Sequence, residues 1–280
     1  MITAGTKPVD VLIPIYKTTF NAEEKFAVDR TFVVLPSYPI TFITPEGMDI
    51  SFYQEHYPTA EYKIFNAGYF SSVNDYSRLL VSEEFYQAFD SEFLLIVQPD
   101  VYLFYDGLPH WLNQPFDYIG APWPNGISLN INVGQFLYNG AGTPVTIYVG
   151  NGGFCLRRRK KCLSLLAEYR DVADWFIRSG SNEDLFFAFM GALSGDFVIP
   201  NQITASIFAM EIAPERFYAI NGGKVPMGVH QYRQYSPHFW SQVIGKPEES
   251  IEQSETQAEN VHAQTEIQQD QSQVSSEVNN

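Results

Sequence analysis

Residues 93–100 read Phe-Leu-Leu-Ile-Val-Gln-Pro-Asp, an apolar run that ends in a polar turn. A short, uninterrupted apolar run of this kind is typical of a strand buried on both faces within a parallel sheet. We therefore predict a central strand that ends at Gln98. Ligands of open α/β sheets bind beyond the carboxyl ends of the strands. Asp100 would lie at that edge of the sheet.

Strand and helix patterns alternate along the chain before this stretch. The predicted elements are strands at 11–16 and 40–44 and helices at 21–35 and 74–89. Ser72 or Asn74 could cap the second helix, whose apolar residues recur with helical spacing. Strand, helix, strand, helix, strand is the order of an open, mostly parallel sheet with right-handed crossovers. The fold class expected from the residues is therefore α/β.

The negative charge of the chain is concentrated at its end. The formal net charge is -15, and residues 247–280 contain eight Asp or Glu and no Lys or Arg, which leaves -7 for the rest. Binding to nucleic acid needs clustered basic residues, so it is not expected. Residues 247–280 also lack aromatic residues and are rich in Gln, Glu, Ser and Asn. We predict a disordered tail there, after a folded domain of residues 1–246, with a docking tail as the alternative.

The sequence also gives an expectation for the cellular location of the protein. No apolar run approaches the roughly 20 residues that span a bilayer, and the start lacks the pattern of a secretory signal. Cys155 and Cys162 fit no CxxC or zinc spacing, so we expect reduced thiols packed in the interior. We predict a soluble cytoplasmic protein, and peripheral association with a membrane surface is left open.

A glycine cluster, Gly150-Asn151-Gly152-Gly153, follows a predicted strand at 146–149. Glycines let a backbone approach a ligand closely, and Asn151 could bond sugar hydroxyls, although such clusters are also common in turns. Neither a Walker loop nor a GxGxxG after the first strand is present, which disfavours ATP and dinucleotides. Before the cluster, residues 125–143 are rich in Asn and Gly and predict a loop or a hairpin flap. Helices are expected at 159–169 and 183–193.

Four side chains could carry the chemistry. Asp100 could hold Mg²⁺ or Mn²⁺ against a diphosphate, or it could merely end a strand. Asp184 could accept the proton of an acceptor hydroxyl while Glu183 holds acceptor or donor hydroxyls. Both carboxylates would also suit a helix start for the helix dipole alone. His230, as a neutral imidazole, could complete a metal site or contact the diphosphate, or it could be structural.

Two further sets of residues allow two interpretations each. The basic run 157–161 could be solvated residues at a helix start or could lie beside phosphates or an anionic lipid carrier. Trp123 and Tyr118 could stack on a sugar ring or pack in the core.

Several strings together resemble a known group of proteins. They are Tyr118-Ile119-Gly120-Ala121-Pro122-Trp123, Val149-Gly150-Asn151-Gly152-Gly153-Phe154, Asn182-Glu183-Asp184-Leu185-Phe186-Phe187 and Gly228-Val229-His230. With Val11 to Lys17, the helix from Asn74 and Gln98-Pro99-Asp100, the resemblance covers about residues 9–241. The group consists of glycosyltransferases of the GT-A type that are found with polysaccharide-synthesis genes and were long catalogued as a domain of unknown function.

The resemblance implies a GT-A-like (Rossmann-like) open mixed sheet, mostly parallel and flanked by helices. It implies that Asp100 and His230 are metal or diphosphate ligands and that Asp184 is the candidate base. Gln98 stands where GT-A enzymes often have a first carboxylate, so strict dependence on Mn²⁺ or Mg²⁺ is left open. The donor-binding residues that the resemblance implies are Gln98, Asp100, Asn151, Gly152, Gly153, Trp123, Asn74 and Arg78.

The leading interpretation is thus an enzyme that moves a sugar from a nucleotide diphosphate sugar, a UDP-sugar, to a glycan or lipid-linked acceptor. A catalytically silent carbohydrate- or nucleotide-binding module is the alternative. A nucleotidyltransferase is less favoured, since the first strand leads into no Gly/Arg/Lys-rich phosphate loop. A retaining glycosyltransferase would need no base such as Asp184.

The composition of the tail generates a first prediction. A chain that ends at Lys246 should keep the melting temperature and the nucleotide-sugar affinity of the full chain, because the tail has no aromatic residue and no sustained apolar pattern. Thermal denaturation and donor titration of both chains would measure this. Lost solubility or lost cooperativity of unfolding would show that the tail packs on the domain.

Overall fold

The structure is a computed structural model that describes residues 8–131 and 143–244. Its contacts divide the chain into a main unit, which ends at Tyr235, and a second unit that starts at Ser236. In the second unit the structure describes one helix, Pro237–Ile244. The predicted tail at 247–280 lies outside the described residues, so the domain boundary at 246 stays a prediction.

The strands fall into two sheets. They are β1 (Val9–Pro14), β2 (Ile40–Pro45), β3 (Glu61–Phe65), β4 (Phe93–Val97), β5 (Val101–Leu103), β6 (Tyr118–Ile131), β7 (Thr143–Arg158), β8 (Ala209–Met210) and β9 (Gly228–His230). The described residues form a six-stranded sheet in the order β3-β2-β1-β4-β7-β6 and a small sheet in the order β5-β9-β8. In the large sheet β1 to β4 run parallel, and β7 is antiparallel to both β4 and β6. The expected open, mixed, mostly parallel sheet is confirmed.

Helices of the main unit flank the large sheet. They are α1 (Ala22–Val34), α2 (Ser51–His56), α3 (Val73–Leu80), α4 (Glu83–Gln87), α5 (Leu108–Trp111), α6 (Arg159–Glu168), α7 (Arg170–Arg178), α8 (Glu183–Leu193), α9 (Gln202–Phe208) and α10 (Pro214–Ile220), with a 3₁₀ turn at Ala67–Phe70. The helix of the second unit is α11 (Pro237–Ile244). No helix among these is long and apolar enough to span a bilayer.

The central strand β4 shows why both faces of the sheet are covered. Successive strand residues point to opposite faces. Leu94 and Ile96 belong to one core cluster, with the apolar residues of α4, α6 and α8, whereas Leu95 and Val97 belong to the other, with those of α1 and α9. All four side chains are buried. A continuous apolar run was therefore the correct signal for this strand.

The structure differs from the sequence analysis at three places. The helix predicted at 74–89 is broken into α3 and α4, because the Ser82 hydroxyl accepts a hydrogen bond from the Phe85 backbone and caps a new helix. The elements α2 and β3, which add an edge strand, were not predicted. The glycine cluster 150–153 is not a loop, since it lies within strand β7.

The predicted flap is a hairpin. Strands β6 and β7 pair antiparallel as far as Ile131 opposite Thr143, with bulges in the register between Ile119 and Ile127. The tip of the hairpin, residues 132–142, lies outside the described residues. The two cysteines, Cys155 and Cys162, are buried free thiols, as expected.

The small sheet brings distant parts of the chain together. Val101 of β5 pairs with His230 of β9, and Met210 of β8 pairs with Val229. Asp100 precedes Val101 and Glu211 follows Met210. The register alone therefore places both carboxylates beside His230.

One ion pair lies inside the core. The Arg157 guanidinium, which is fully buried at the end of β7, donates through Nη2 to Glu183 Oε1 at 2.8 Å. It also donates to the Tyr86 hydroxyl at 3.0 Å and lies over the rings of Tyr118 and Phe187. The second Glu183 oxygen accepts from the Ser77 hydroxyl at 2.8 Å. Strand β7 and helices α3, α4 and α8 thus meet at this pair.

Removing one partner of this pair generates the second prediction. Arg157→Met should lower the free energy of unfolding by about 3–5 kcal/mol, because it leaves the Glu183 carboxylate buried without its counter-charge. Urea denaturation would measure the loss, and the double variant Arg157→Met/Glu183→Met should recover part of it. Arg170→Met is the matched control. It breaks an exposed pair with Glu83, which should change stability by less than about 1 kcal/mol. Equal losses of stability in Arg157→Met and Arg170→Met would contradict the prediction.

Candidate functional site

A cavity of about 650 Å³ opens at the carboxyl ends of β1 and β4. Its walls include residues of Gln98-Pro99-Asp100, of the glycine cluster, of Asn182-Glu183-Asp184 and of the string that ends at His230. These contribute Gln98, Pro99, Asp100, Asn151, Gly152, Gly153, Asn182, Glu183, Asp184 and His230. The structure therefore brings together residues that are up to 132 positions apart in the chain.

His230 is the centre of one end of this cavity. Its Nε2 lies 3.0 Å from Gln98 Oε1 and 3.3 Å from Asp100 Oδ1. Its Nδ1 lies 2.8 Å from Glu211 Oε2. His230 and Glu211 are buried, whereas the Asp100 side chain is about half exposed toward the cavity. A buried carboxylate that holds Nδ1 fixes the orientation of the ring and aims Nε2 at the cavity.

The protonation states of His230 and Asp100 depend on each other. Burial alone would lower the pKa of His230, but hydrogen bonds to Asp100 and Glu211 outweigh it and raise that pKa to about 10. Burial alone would raise the pKa of Asp100, but the hydrogen bond and charge of His230 hold it below its usual value. These carboxylates favour the protonated imidazole, whereas a cation bound at Nε2 would require the neutral ring, with Nδ1–H donating to Glu211.

These residues also suit a divalent cation. The described residues contain no group of three or more His, Cys, Asp or Glu side chains placed to hold a metal. Asp100 and His230 nevertheless converge with the amide oxygen of Gln98, which gives one carboxylate, one imidazole and one amide oxygen. Mg²⁺ and Mn²⁺ accept such ligands with phosphate oxygens completing the shell. Gln98, which stands where the resemblance implies a first carboxylate, offers an amide oxygen instead.

Gly152 and Gly153 make room for the side chains of the site. A Cβ on Gly153 would lie 2.1 Å from Cε1 of His230, and one on Gly152 would lie 2.8 Å from Oε1 of Glu183. Such distances are far below van der Waals contact. Besides any approach to a ligand, these glycines are therefore required by packing.

Asp184 marks the other end of the cavity, at the first turn of α8. Its Oδ1 accepts from the Leu185 backbone at 2.7 Å. Burial, followed by the charge of Glu183, raises the pKa of Asp184 to about 7. A carboxylate that titrates near neutral pH is suited to take and return a proton.

Glu183 differs from its neighbour, although it lines the same cavity. Both of its carboxylate oxygens are bound inside the protein, to Arg157 and to Ser77. The sequence analysis expects Glu183 to hold substrate hydroxyls. The structure gives it a positioning role instead, since it orients the start of α8 and adds negative charge beside Asp184.

Four predicted ligand-contacting residues do not line this cavity. Trp123 is 8% exposed and packs against Gly150, and Tyr118 is fully buried with its hydroxyl bonded to the Gly150 carbonyl at 2.6 Å. Neither ring is available to a sugar. Asn74 donates to the Ile177 carbonyl at 3.1 Å and joins α3 to α7. Arg78 is bound to Asp75 and to the Gly68 carbonyl.

The basic run at 157–161 is structural, and neither of the two predicted roles describes its arginines. Arg157 is in the core pair, Arg158 binds Glu92 and Asp117, and Arg159 donates to the Ser91 carbonyl at 2.8 Å. These partners come from distant parts of the chain, so no local pattern reveals them.

Several residues of the cavity were missed from the sequence. They are Pro14, Tyr16, Glu24, Phe70, Ser71, Ser72, Val73, Tyr76, Ser77, Glu211, Gln231 and Tyr235. Tyr16 follows β1, so the rule that ligands bind beyond strand ends could have identified it. Glu211 follows a two-residue strand that carries no pattern of its own, and no sequence signal would have found it.

Residues 59–230 match the family described as "Protein of unknown function (DUF5672)". No curated protein sequence matches the chain. Among solved structures the chain is similar to the galactosyltransferase LgtC in complex with donor and acceptor sugar analogs, with 16% identity, 81% of this chain and 87% of that chain covered, and a TM-score of 0.47.

The chain is also similar to the apo form of the glycosyltransferase GlyE of Streptococcus pneumoniae TIGR4. That match has 11% identity, covers 80% of this chain and 54% of that chain, and has a TM-score of 0.44. Likeness at this level does not transfer an activity. The family match spans more than half of the 280 residues. The chain belongs to the DUF5672 family.

Proposed function

We propose that the protein is a glycosyltransferase that moves a sugar from a nucleotide diphosphate sugar to a glycan or lipid-linked acceptor in polysaccharide synthesis. One observation carries the proposal. A single cavity joins a set of metal-suited ligands around His230 to a carboxylate, Asp184, whose pKa lies near 7. The choice of a uridine donor and of polysaccharide synthesis rests on the resemblance found in the sequence.

The donor diphosphate would lie at the His230 end. None of the described residues that line the cavity is Lys or Arg, while Glu24, Asp100, Glu183, Asp184 and Glu211 all line it. Glu24, Glu183 and Glu211 are paired within the protein with Lys17, Arg157 and His230. Asp100 and Asp184 would repel a diphosphate without an added cation. Mn²⁺ or Mg²⁺, held by Asp100 and His230 with the Gln98 amide oxygen, would neutralise the leaving diphosphate. We therefore infer a dependence on a divalent cation.

Asp184 would act on the acceptor. Its ionised carboxylate takes the proton of an acceptor hydroxyl as that oxygen attacks the anomeric carbon of the donor sugar. The bond from that carbon to the diphosphate breaks, and the nucleoside diphosphate leaves with the electron pair. Burial, together with the charge of Glu183, keeps the pKa of Asp184 raised, so that the base can be ionised and still be basic near neutral pH. This step inverts the anomeric centre.

Removal of the metal carboxylate generates the third prediction. Asp100→Ala should weaken binding of UDP in the presence of Mn²⁺ by about tenfold or more, because one charged ligand is lost. Calorimetric titration with Mn²⁺ and with EDTA would measure it. Asp106→Ala, a carboxylate outside the cavity lining, is the control and should bind as the wild type does. Donor affinity that is indifferent to Mn²⁺, EDTA and Asp100→Ala would contradict the metal assignment.

Removal of the base generates the fourth prediction. Asp184→Asn should lower the transfer rate by about 10²–10⁴-fold, the usual contribution of a general base, while UDP binding is kept. The wild-type rate should rise with pH through about 7 as Asp184 ionises, and the variant should lack this rise. Asp171→Asn, at the first turn of α7, is the matched control and should keep both the rate and its pH profile.

Stability provides a second measurement on the same variant. Because the folded protein raises the pKa of Asp184, ionisation costs the fold stability as pH rises through about 7. The difference between the melting temperatures of Asp184→Asn and the wild type, measured at the same pH, should therefore increase in favour of the variant from pH 5 to pH 8. Unchanged turnover in this variant would support a retaining mechanism or another base. Absence of any nucleoside diphosphate release by the wild type, with sugar binding intact, would instead support a silent binding module.

A further inference from the structure

A second cavity, of about 540 Å³, lies beside the candidate site. Its lining consists of residues 146–149 of β7, of Ala188, Gly191 and Ala192 of α8, and of residues 197–202, which lead into α9. In the part of the chain that the structure describes, no lining residue of this cavity is charged, whereas five carboxylates line the first cavity. We call the second cavity the apolar groove.

The polar side chains of the apolar groove are bonded within the protein. Gln202 donates to two carbonyls of β6 at 2.8 and 3.1 Å. Asn201 accepts from the backbone of α9 at 2.9 Å and caps that helix, and the Thr146 hydroxyl lies 2.7 Å from the hydroxyl of Ser128. These groups are therefore already satisfied, and the surface that the groove offers to a ligand is mainly apolar.

Apolar side chains at the groove are also unusually exposed. Tyr148 is 46% and Val198 is 43% exposed. Ile203 and Ile207, one turn apart on α9, extend the exposed apolar surface beyond the groove. The outer face of a surface helix is normally polar, and contiguous exposed apolar surface marks a binding site.

The apolar groove and the first cavity lie along one crevice between β7 and α8. A Cβ on Gly152 would lie 3.3 Å from the Cβ of Asp184, and one on Gly150 would lie 2.7 Å from the Cβ of Ala188. Two residues back along β7 thus correspond to four residues forward along α8. Ala192, in the groove, follows the candidate base by eight residues, which is about 12 Å along the helix axis.

The chemistry of the groove selects one kind of occupant. A charged group would find no counter-charge in it. A peptide segment would need partners for its backbone N–H and C=O groups, and the polar side chains of the lining are bonded elsewhere. A hydrocarbon chain needs no such partners and is stabilised by leaving water. Continuity with the first cavity means that such a chain can be attached to a molecule held at Asp184.

We propose that the apolar groove binds the hydrocarbon chain of a lipid-linked acceptor, whose sugar lies at Asp184 in the first cavity. This assignment rests on the proposed function, because it takes Asp184 as the base that faces the acceptor. It selects the lipid-linked acceptor over a free glycan.

Alkyl maltosides below their micelle-forming concentrations test the groove on the full chain. Calorimetric titration would compare the methyl, octyl and dodecyl compounds, and UDP with Mn²⁺ would be titrated separately. The variant is Ala192→Asp, which places a charge in the groove. Leu193→Asp is the matched control, because Leu193 is the next residue of α8 and is also exposed but does not line the groove. Both variants add the same charge to the same helix end.

We expect no binding of methyl maltoside in the groove and an affinity for dodecyl maltoside about tenfold or more above that for octyl maltoside, since each methylene that leaves water adds to binding. Ala192→Asp should weaken the dodecyl compound by about tenfold, because the chain would have to desolvate a carboxylate. Leu193→Asp should bind it as the wild type does. UDP affinity should be unchanged in both variants.

Three outcomes would overturn the assignment. They are an affinity that does not rise with chain length, equal weakening in Ala192→Asp and Leu193→Asp, and a wild-type dimer in sedimentation that Ala192→Asp alone converts to a monomer. The last would show that a second copy of the chain covers the groove. None of the three would count against the proposed transfer to a glycan if UDP still binds with Mn²⁺. Failure of UDP to bind, with chain-length dependence intact, would count against the transferase and leave the groove as a hydrocarbon-binding site.

Discussion

The buried pair of Arg157 and Glu183 is the interaction on which the site depends. A charge in an apolar interior is tolerated only when it is paired and hydrogen-bonded. Here the pair is supported by Ser77 and Tyr86 and covered by aromatic rings. It joins the antiparallel strand β7 to the start of α8. The same carboxylate that completes the core also faces Asp184, so the stability of the fold and the basicity of the candidate base share one charge.

The small sheet of β5, β9 and β8 positions the side chains around His230. Its strands are only two or three residues long, too short to be stable alone. They are stable because they pack on the large sheet. Their pairing brings Asp100, Glu211 and His230 into contact. The cavity thus has a rigid frame at both ends, one made by an ion pair and one made by strand register.

The sequence predicted secondary structure correctly where a local pattern determines it. The run 93–97 and the helix 183–193 were found with their observed bounds, because buried strands and capped helices carry their own signals. Asp100, Asp184 and His230 were correctly brought to one cavity. Trp123 and Arg157 were misread because burial is a property of the tertiary fold. Glu211 was missed since its position follows from a pairing between strands that are distant in the chain.

The contact between Gly153 and His230 also has a consequence for how the family can vary. The space that a Cβ would need at position 153 is filled by the imidazole ring. A larger residue at position 153 is therefore excluded while the histidine is kept, and we expect the two positions to covary in the family. A homologue that replaces the histidine by a small residue frees the space and can accept alanine at the glycine. Covariation of this pair across the family would then separate members that retain the imidazole site from members that have abandoned it.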